Sequence, residues 1–278
     1  MNTWRCGSFS FEQRRPLVVG VLNVTPDSFS DGGLYADASD ALAHAEKMIS
    51  FGADIIEVGG ESTRPGSREV SPEEELRRVL PVVEKLVRRD VCVSVDSRHP
   101  QVVEACLRAG ASIINDVTGF TDPAMRELAL GSEAGCVIVH MQGRPQTMQE
   151  DPRYTDVVAE VGGFLLAQAH LLEEGGVARS RICLDPGPGF GKNTEQNLLL
   201  LRNTAFFANL GAPPYLLMAA WSRKQFIGDI TGEPDPARRV AGSVALALYA
   251  ASQGAGVLRV HDVKPTVEAL KVLETVRG

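Results

Sequence analysis

Gly20-Val-Leu-Asn-Val-Thr-Pro-Asp-Ser-Phe-Ser-Asp-Gly-Gly33 breaks an apolar run in a single step. Leu17 to Leu22 is apolar, and Asn23 opens a loop of small, polar and turn-forming residues. A buried strand that delivers a polar residue at its C-terminal end and then enters a long Gly/Asp/Ser loop has the form of one spoke of an active site. The loop is longer than an ordinary β-to-α connection. Phe29 is the single aromatic residue in its middle. Such a segment can move, coordinate and cover.

The rest of the chain repeats this grammar. Strand-like runs are Leu17–Leu22, Ile55–Val58, Val91–Val95, Ser112–Ile114, Cys136–His140, Arg181–Leu184, Tyr215–Met218 and Val257–Val260. Amphipathic stretches follow them in turn: Ser39–Ser50, Pro72–Arg89, Pro100–Arg108, Pro123–Ala134, Thr155–Glu174, Thr194–Leu210, Ala237–Ser252 and Pro265–Val276. Proline near several starts and glycine after several ends (Gly52, Gly110, Gly175, Gly254) are helix start and stop signals. Eight strands, each followed by a helix, imply a parallel sheet covered on both faces.

Such units form either an open sheet or a closed barrel. Polar motifs follow nearly every strand: Asn23, Glu61-Ser-Thr-Arg-Pro-Gly66, Asp96-Ser97, Asn115-Asp116, His140-Met-Gln142, Asp185 to Lys192, Ser222-Arg-Lys224 and Arg259-Val-His261. An open sheet gathers its ligand groups at one switch point. A barrel draws them from all strand ends onto one face. The pattern predicts an α/β chain with a single parallel (β/α)8 barrel of the TIM type. The length of 278 residues suits one such domain, residues 1–278, with residues 1–16 as an N-terminal extension.

Composition narrows the function. No apolar run reaches the ~18 residues of a membrane span, and no secretion signal stands at the N-terminus. Five cysteines form an odd set without C-x-x-C, which predicts small core residues in a reducing cytoplasm. A net charge of -7 argues against a broad nucleic-acid surface. Gly187-Pro-Gly-Phe-Gly-Lys192 is one residue short of a nucleotide-phosphate loop and is followed by Asn193 rather than Ser or Thr. No G-x-G-x-x-G follows the first strand, and the five histidines lack zinc-ligand spacing.

The remaining constellation is specific. Asp96, Asn115 and Asp185 stand at the ends of the third, fourth and sixth strands. Two carboxylates and an amide in one barrel mouth suit a ligand with several N–H donors and some acceptors. A carboxylate accepts two parallel N–H bonds from a guanidine-like edge, and Asn both donates and accepts. Arg64, Lys224, Arg259 and His261 bring cations to the same rim, suited to an anionic part of the ligand. Arg259 and His261 flank Val260 and so point the same way from a strand end.

The runs LNVTPDSFSDGG, GADIIEVGGESTRPG, SVDS, INDVTG, VHMQG, LDPGPGFGK, SRKQFIG and RVHDV resemble, in order, the motifs of the dihydropteroate synthases. The resemblance covers the chain from about Leu17 to its C-terminus. It implies a homodimeric barrel that joins 6-hydroxymethyl-7,8-dihydropterin diphosphate to p-aminobenzoate in folate synthesis, with Mg2+, and that sulfonamides inhibit. It implies that Asp96, Asn115, Asp185 and Lys224 hold the pterin, with Met141 among the substrate-binding residues. Arg259 would lie against the pterin ring and reach phosphate, and Asn23, Arg259 and His261 would hold the diphosphate. Asn23 would meet the Mg2+. Phe29, Asp31, Thr63, Arg64 and Pro65 would belong to two loops that close over the aminobenzoate.

Trp221, Gln225 and Pro188 depart from the commonest family pattern, Gln225 where a serine is frequent. Two other readings stay open on the same barrel. One is a pterin-binding paralogue without full synthase activity. The other is a methyltetrahydrofolate-dependent corrinoid methyltransferase, which would have no need of the Phe29, Thr63-Arg64-Pro65 and Arg259/His261 groups.

Overall fold

A computed structural model describes residues 3–24, 34–61, 69–143 and 147–277. The strands are β1 (Thr3–Cys6), β2 (Phe9–Glu12), β3 (Leu17–Asn23), β4 (Ile55–Gly59), β5 (Val93–Asp96), β6 (Ile113–Asp116), β7 (Gly135–Val139), β8 (Ile182–Asp185), β9 (Leu216–Ala219) and β10 (Val257–Val260). β3 to β10 pair in parallel and close, with β10 returning to β3. The helices are α1 (Leu34–Ser50), α2 (Pro72–Val87), α3 (Pro100–Arg108), α4 (Pro123–Leu130), α5 (Val157–Glu174), α6 (Thr194–Arg202), α7 (Thr204–Ala208), α8 (Gln225–Thr231), α9 (Val240–Ser252) and α10 (Val263–Arg277). The predicted (β/α)8 barrel is the observed architecture.

Strand alternation divides the buried apolar residues into two bodies. Leu17, Val19, Ile55, Ile113, Val137, Cys183, Met218 and Val257 fill the barrel interior. Their neighbours Val18, Leu22, Ile56, Ile114, Ile138, Leu184, Leu217 and Leu258 face the helices. Local signals set the helix starts. Ser71 caps α2 by accepting from Glu74 N–H, with Pro72 in the first turn, and Asn193 and Gln196 form a reciprocal capping box on α6.

Three elements differ from expectation. The extension is ordered into a hairpin, β1–β2, that closes the N-terminal end of the barrel. Trp4 Nε1 donates to Arg181 O at 3.1 Å, and Trp4 and Cys6 join the interior apolar body. The stretch Thr194–Leu210 is not one helix but α6 and α7, separated at Asn203. There the side chains of Asn203 and Thr204 take the carbonyls of Leu199 and Leu201, competing with the helical backbone pattern. The short helix α8 lies between β9 and α9, where no separate helix was predicted.

Candidate active site

Four barrel strands end on the polar residue that had been expected to follow them: Asn23, Asp96, Asp116 and Asp185 are the last residues of β3, β5, β6 and β8. These ends are held by backbone ladders, so the groups they carry are set on rigid backbone. The alternation that sends Val19, Ile55 and Ile113 inward also sends Asn23, Glu57, Asp96, Asn115, Asp185 and Arg259 to the barrel side.

Arg259 is the centre of this set. Its Nε donates to Glu57 Oε1 at 2.5 Å and its Nη2 to Asp96 Oδ2 at 2.7 Å. Asn115 Nδ2 donates to Glu57 Oε2 at 2.8 Å, and Ser94 Oγ lies 3.4 Å from the same oxygen. Burial alone would lower the Arg259 pKa, but Glu57 and Asp96 outweigh it and hold the guanidinium charged. Burial pushes the Asp96 carboxyl up, and Arg259 pulls it back down. Asp185 is likewise raised by burial. A 2.8 Å bond from Gly187 N–H opposes this, as do Arg259, Lys224 and Lys192. The amide oxygen of Asn115 is buried and, among the described residues, has no hydrogen-bond partner.

The remaining groups stand around this centre. Lys224 carries its ammonium 4.2 Å above the ring of Phe190, which belongs to the interior apolar body. Met141 packs against that body. His261 is positioned from the segment after β9: Ser222 Oγ accepts its backbone N–H at 3.2 Å and lies 3.0 Å from Nδ1. Arg223 and Asp262 form a two-point ion pair beside it. The structure thus brings Asp96, Asn115, Asp185, Lys224 and Arg259 into one charged cluster, with Asn23, Met141 and His261 at its strand ends. Phe29, Asp31, Thr63, Arg64 and Pro65 lie outside the described residues. At the foot of the second loop, Arg98 holds Glu61 through bonds of 2.8 and 3.2 Å.

Sequence reasoning missed Glu57. It lies in a run read only as apolar, yet it stands two residues after Ile55 and shares its side of the strand. A charge in the alternation of a buried strand was the available signal. The structure also separates Asp116 from Asn115. Asp116 points away from the barrel mouth and accepts from Thr118 N–H, Thr118 Oγ1 and Phe120 N–H, so it builds a turn. Trp221 is buried in the layer beneath the helices, edge-on to Phe226, and is a wall residue. The Gln225 amide is engaged, donating to Asp229 at 3.1 Å and accepting from Arg239 at 3.3 Å.

Comparison with known proteins places this geometry. Residues 19–261 match the family described as pterin binding enzyme. The dihydropteroate synthase of Escherichia coli is 48% identical over 266 residues, 95% of this chain and 93% of that one. The structure of the Xanthomonas albilineans dihydropteroate synthase with 4-aminobenzoic acid has a TM-score of 0.92 at 43% identity, covering 100% of this chain and 99% of that one. The Burkholderia cenocepacia enzyme complexed with 7,8-dihydropteroate has a TM-score of 0.88 at 44% identity, with 99% and 96% covered. This chain belongs to the pterin-binding enzymes, and within them to the dihydropteroate synthase family.

Proposed function

We propose that this chain condenses 6-hydroxymethyl-7,8-dihydropterin diphosphate with p-aminobenzoate, forming 7,8-dihydropteroate and diphosphate for folate biosynthesis. The observation that carries this reading is the buried acceptor set of the barrel mouth. Asn115 Oδ1 lacks a partner among the described residues, and burial raises the Asp96 and Asp185 carboxyls. An unpaired buried acceptor is costly, and a ligand that brings N–H donors relieves it. The pyrimidine edge of a pterin brings several. Asp185 takes the 2-amino edge, while Asp96, Asn115 and Lys224 hold the rest of the ring and Met141 packs against it. Arg259 lies along the ring and reaches the phosphates, with Glu57 anchoring its Nε.

The reaction then follows from charge. The C–O bond between the pterin methylene and the diphosphate breaks, and its electron pair leaves on oxygen. Asn23, Arg259 and His261 hold that oxygen's diphosphate as negative charge develops. The ring nitrogens spread the positive charge left on the methylene carbon. The p-aminobenzoate nitrogen bonds to that carbon and releases its proton to water, which requires no strong base. Phe29, Asp31, Thr63, Arg64 and Pro65 close over the aminobenzoate and keep water from the cation. A sulfonamide of similar shape and charge competes at the same place.

Mg2+ accompanies the diphosphate in this reading. Among the described residues no three His, Cys, Asp or Glu side chains form a cage for it. Asn23 offers a hard amide oxygen at the end of β3, and Mg2+ is commonly held by a few protein oxygens plus substrate phosphates. The donor set therefore fits a metal that is delivered with substrate. Once bound, it would neutralise leaving-group charge.

We assign the chain to a cytoplasmic homodimer. Among the described residues, no helix is long and apolar enough to cross a membrane, and all five cysteines are free and buried. Leu199 of α6, Ile230 of α8 and Tyr249 of α9 are exposed apolar residues on helices packed side by side. Ala241 and Ala245 share the exposed stripe of Tyr249. Gly242 faces the chain's own α8, where a Cβ would stand 2.5 Å from Ile227, and so serves the barrel wall.

Incubating the protein with pterin diphosphate, p-aminobenzoate and Mg2+ tests the reading. Dihydropteroate and diphosphate are expected in equal amounts. Tight pterin binding without product would instead favour the inactive paralogue.

A further inference from the structure

Gly187-Pro-Gly-Phe-Gly-Lys192 is not a phosphate loop, and its geometry has the opposite polarity. In a phosphate loop, backbone N–H groups converge on an anion. Here backbone carbonyls converge on a cation. Lys192 Nζ lies 2.9 Å from Gly187 O, 3.0 Å from Phe190 O and 3.3 Å from His140 O. A fourth neighbour, Nδ1 of His140, is 3.0 Å away. Lys192 is 2% exposed. An ammonium has three N–H donors, and this cage uses all of them. Gly187 makes the cage possible: its φ is +65°, and a Cβ there would stand 1.9 Å from His140 O.

The imidazole completes the cage only if it is neutral. Burial, and then the Lys192 charge, push His140 down to about 3. The ring is enclosed by Phe164, edge-on at 5.0 Å, and by Tyr154 at 6.1 Å. With Nδ1 accepting from Lys192, its proton sits on Nε2. Burial pushes Lys192 itself down to about 7, while Asp185 pulls it up. The four acceptors provide the solvation that burial removed.

The cage ties down groups that the chemistry uses. Gly187 donates its N–H to Asp185 Oδ1 at 2.8 Å, and His140 N–H donates to Asp185 O at 3.0 Å. The Phe190 carbonyl is caged, and its ring lies under the Lys224 ammonium. Asn197 extends the lock, accepting from Gly189 N–H at 2.8 Å and donating to Lys192 O at 3.0 Å. One ammonium therefore fixes the backbone on both sides of the pterin-facing groups.

We propose that Lys192 is a positioning residue for the pterin, acting through the Asp185–Phe190 turn rather than by touching substrate. This rests on the pterin-condensing reading above. The test uses 6-hydroxymethylpterin as probe, with K192M and histidine-15N NMR. In the wild-type enzyme, the His140 ring is neutral with its proton on Nε2 from pH 8 to pH 5. Titration with the pterin moves its signals and leaves those of the exposed His170 in place. Folded K192M binds the pterin at least tenfold more weakly. Its KM for p-aminobenzoate, at saturating pterin diphosphate, stays within twofold of wild type. K192R does not restore pterin affinity, because a planar guanidinium cannot address four acceptors around one point. Unchanged pterin affinity in K192M, or rescue by K192R, overturns the proposal. Should K192M not fold, a wild-type His140 signal unmoved by bound pterin overturns it equally. Each of these leaves the pterin reading standing, whereas a wild-type enzyme that binds no pterin removes both.

Discussion

The two ends of the barrel are built from the same strands and solve burial in opposite ways. At the N-terminal end, the β1–β2 hairpin seals an interior of Trp4, Cys6, Leu17, Cys92, Ile113 and Cys183. Burial raises the Cys6 and Cys183 thiols and pushes Cys92 up to about 12, so they stay neutral and inert. The buried cation there, Arg181, is spent on structure: it donates to Ala134 O at 2.8 Å and Ala129 O at 2.7 Å. At the C-terminal end, Glu57, Asp96, Asp185 and Arg259 are gathered with Asn115, whose oxygen is unpartnered among the described residues. One end spends its buried cation on the protein's own carbonyls. The other leaves part of its polar bonding for a ligand. Parallel strands all point their C-terminal ends the same way, which lets one fold carry both solutions.

The largest expected effect breaks the sealed end. Trp4→Ala removes a ring that is 1% exposed and fills the floor of the barrel. It should cost about 3–5 kcal/mol of stability. Denaturant unfolding measures this, and turnover per folded molecule should stay near wild type. A large loss of kcat at full folding would show that the two ends are not separable.

At the charged end, Arg259→Ala leaves Glu57 and Asp96 close together without their shared cation. Turnover of the pterin diphosphate should fall by roughly 10²–10³-fold, the range for removing a group aimed at developing charge. Steady-state kinetics beside an unfolding curve separates this from loss of fold. A drop of only a few-fold would remove Arg259 from the leaving-group site.

Asp185→Ala should act on binding more narrowly. Losing a charge-assisted partner for the guanidine-like edge costs on the order of 2 kcal/mol, so pterin affinity falls at least tenfold. Calorimetric titration of the folded variant checks it. His261→Ala should instead slow turnover while leaving plain pterin binding nearly intact. Equal damage to both would move His261 into the pterin pocket.

A further effect concerns acid. His140 is held near 3 in the folded state and returns to about 6.5 when unfolded. Between those values the unfolded chain holds the extra proton, so this residue lowers stability as pH falls from about 6.5 towards 3. The contribution reaches roughly 1.4 kcal/mol per pH unit. Urea midpoints at pH 7 and pH 5 should therefore converge in His140→Gln relative to wild type. Identical acid sensitivity in the two proteins would place the titrating group elsewhere.

Much of the charged end was legible because it follows period two. Asp96, Asn115, Asp185, Arg259 and His261 each stand at an apolar strand's end, and a polar residue there points into the mouth. The strand ends ran one residue further than expected at Asn23, Gly59, Asp96 and Asp185, since the ladder uses backbone and ignores side-chain polarity. Glu57 could have been found by the same alternation, but the apolar run hid it. Lys192 and His140 could not. A lysine after a glycine-rich turn reads as exposed, and only folding shows that three carbonyls and an imidazole surround it.

The amino-acid order alone therefore determined the eight-unit barrel, its polar face and most of the groups on that face. These follow from local periodicity and from chain direction, which neighbouring residues set. Tertiary structure alone decided that the first sixteen residues plug the floor, that Arg259 bridges two carboxylates, and that Lys192 is caged. Each of those depends on distant segments meeting. Arg259 and Glu57 are 202 residues apart in the chain and 2.5 Å apart in the fold. Burial, which raises the Asp96 and Asp185 carboxyls, exists only once those segments have closed around them.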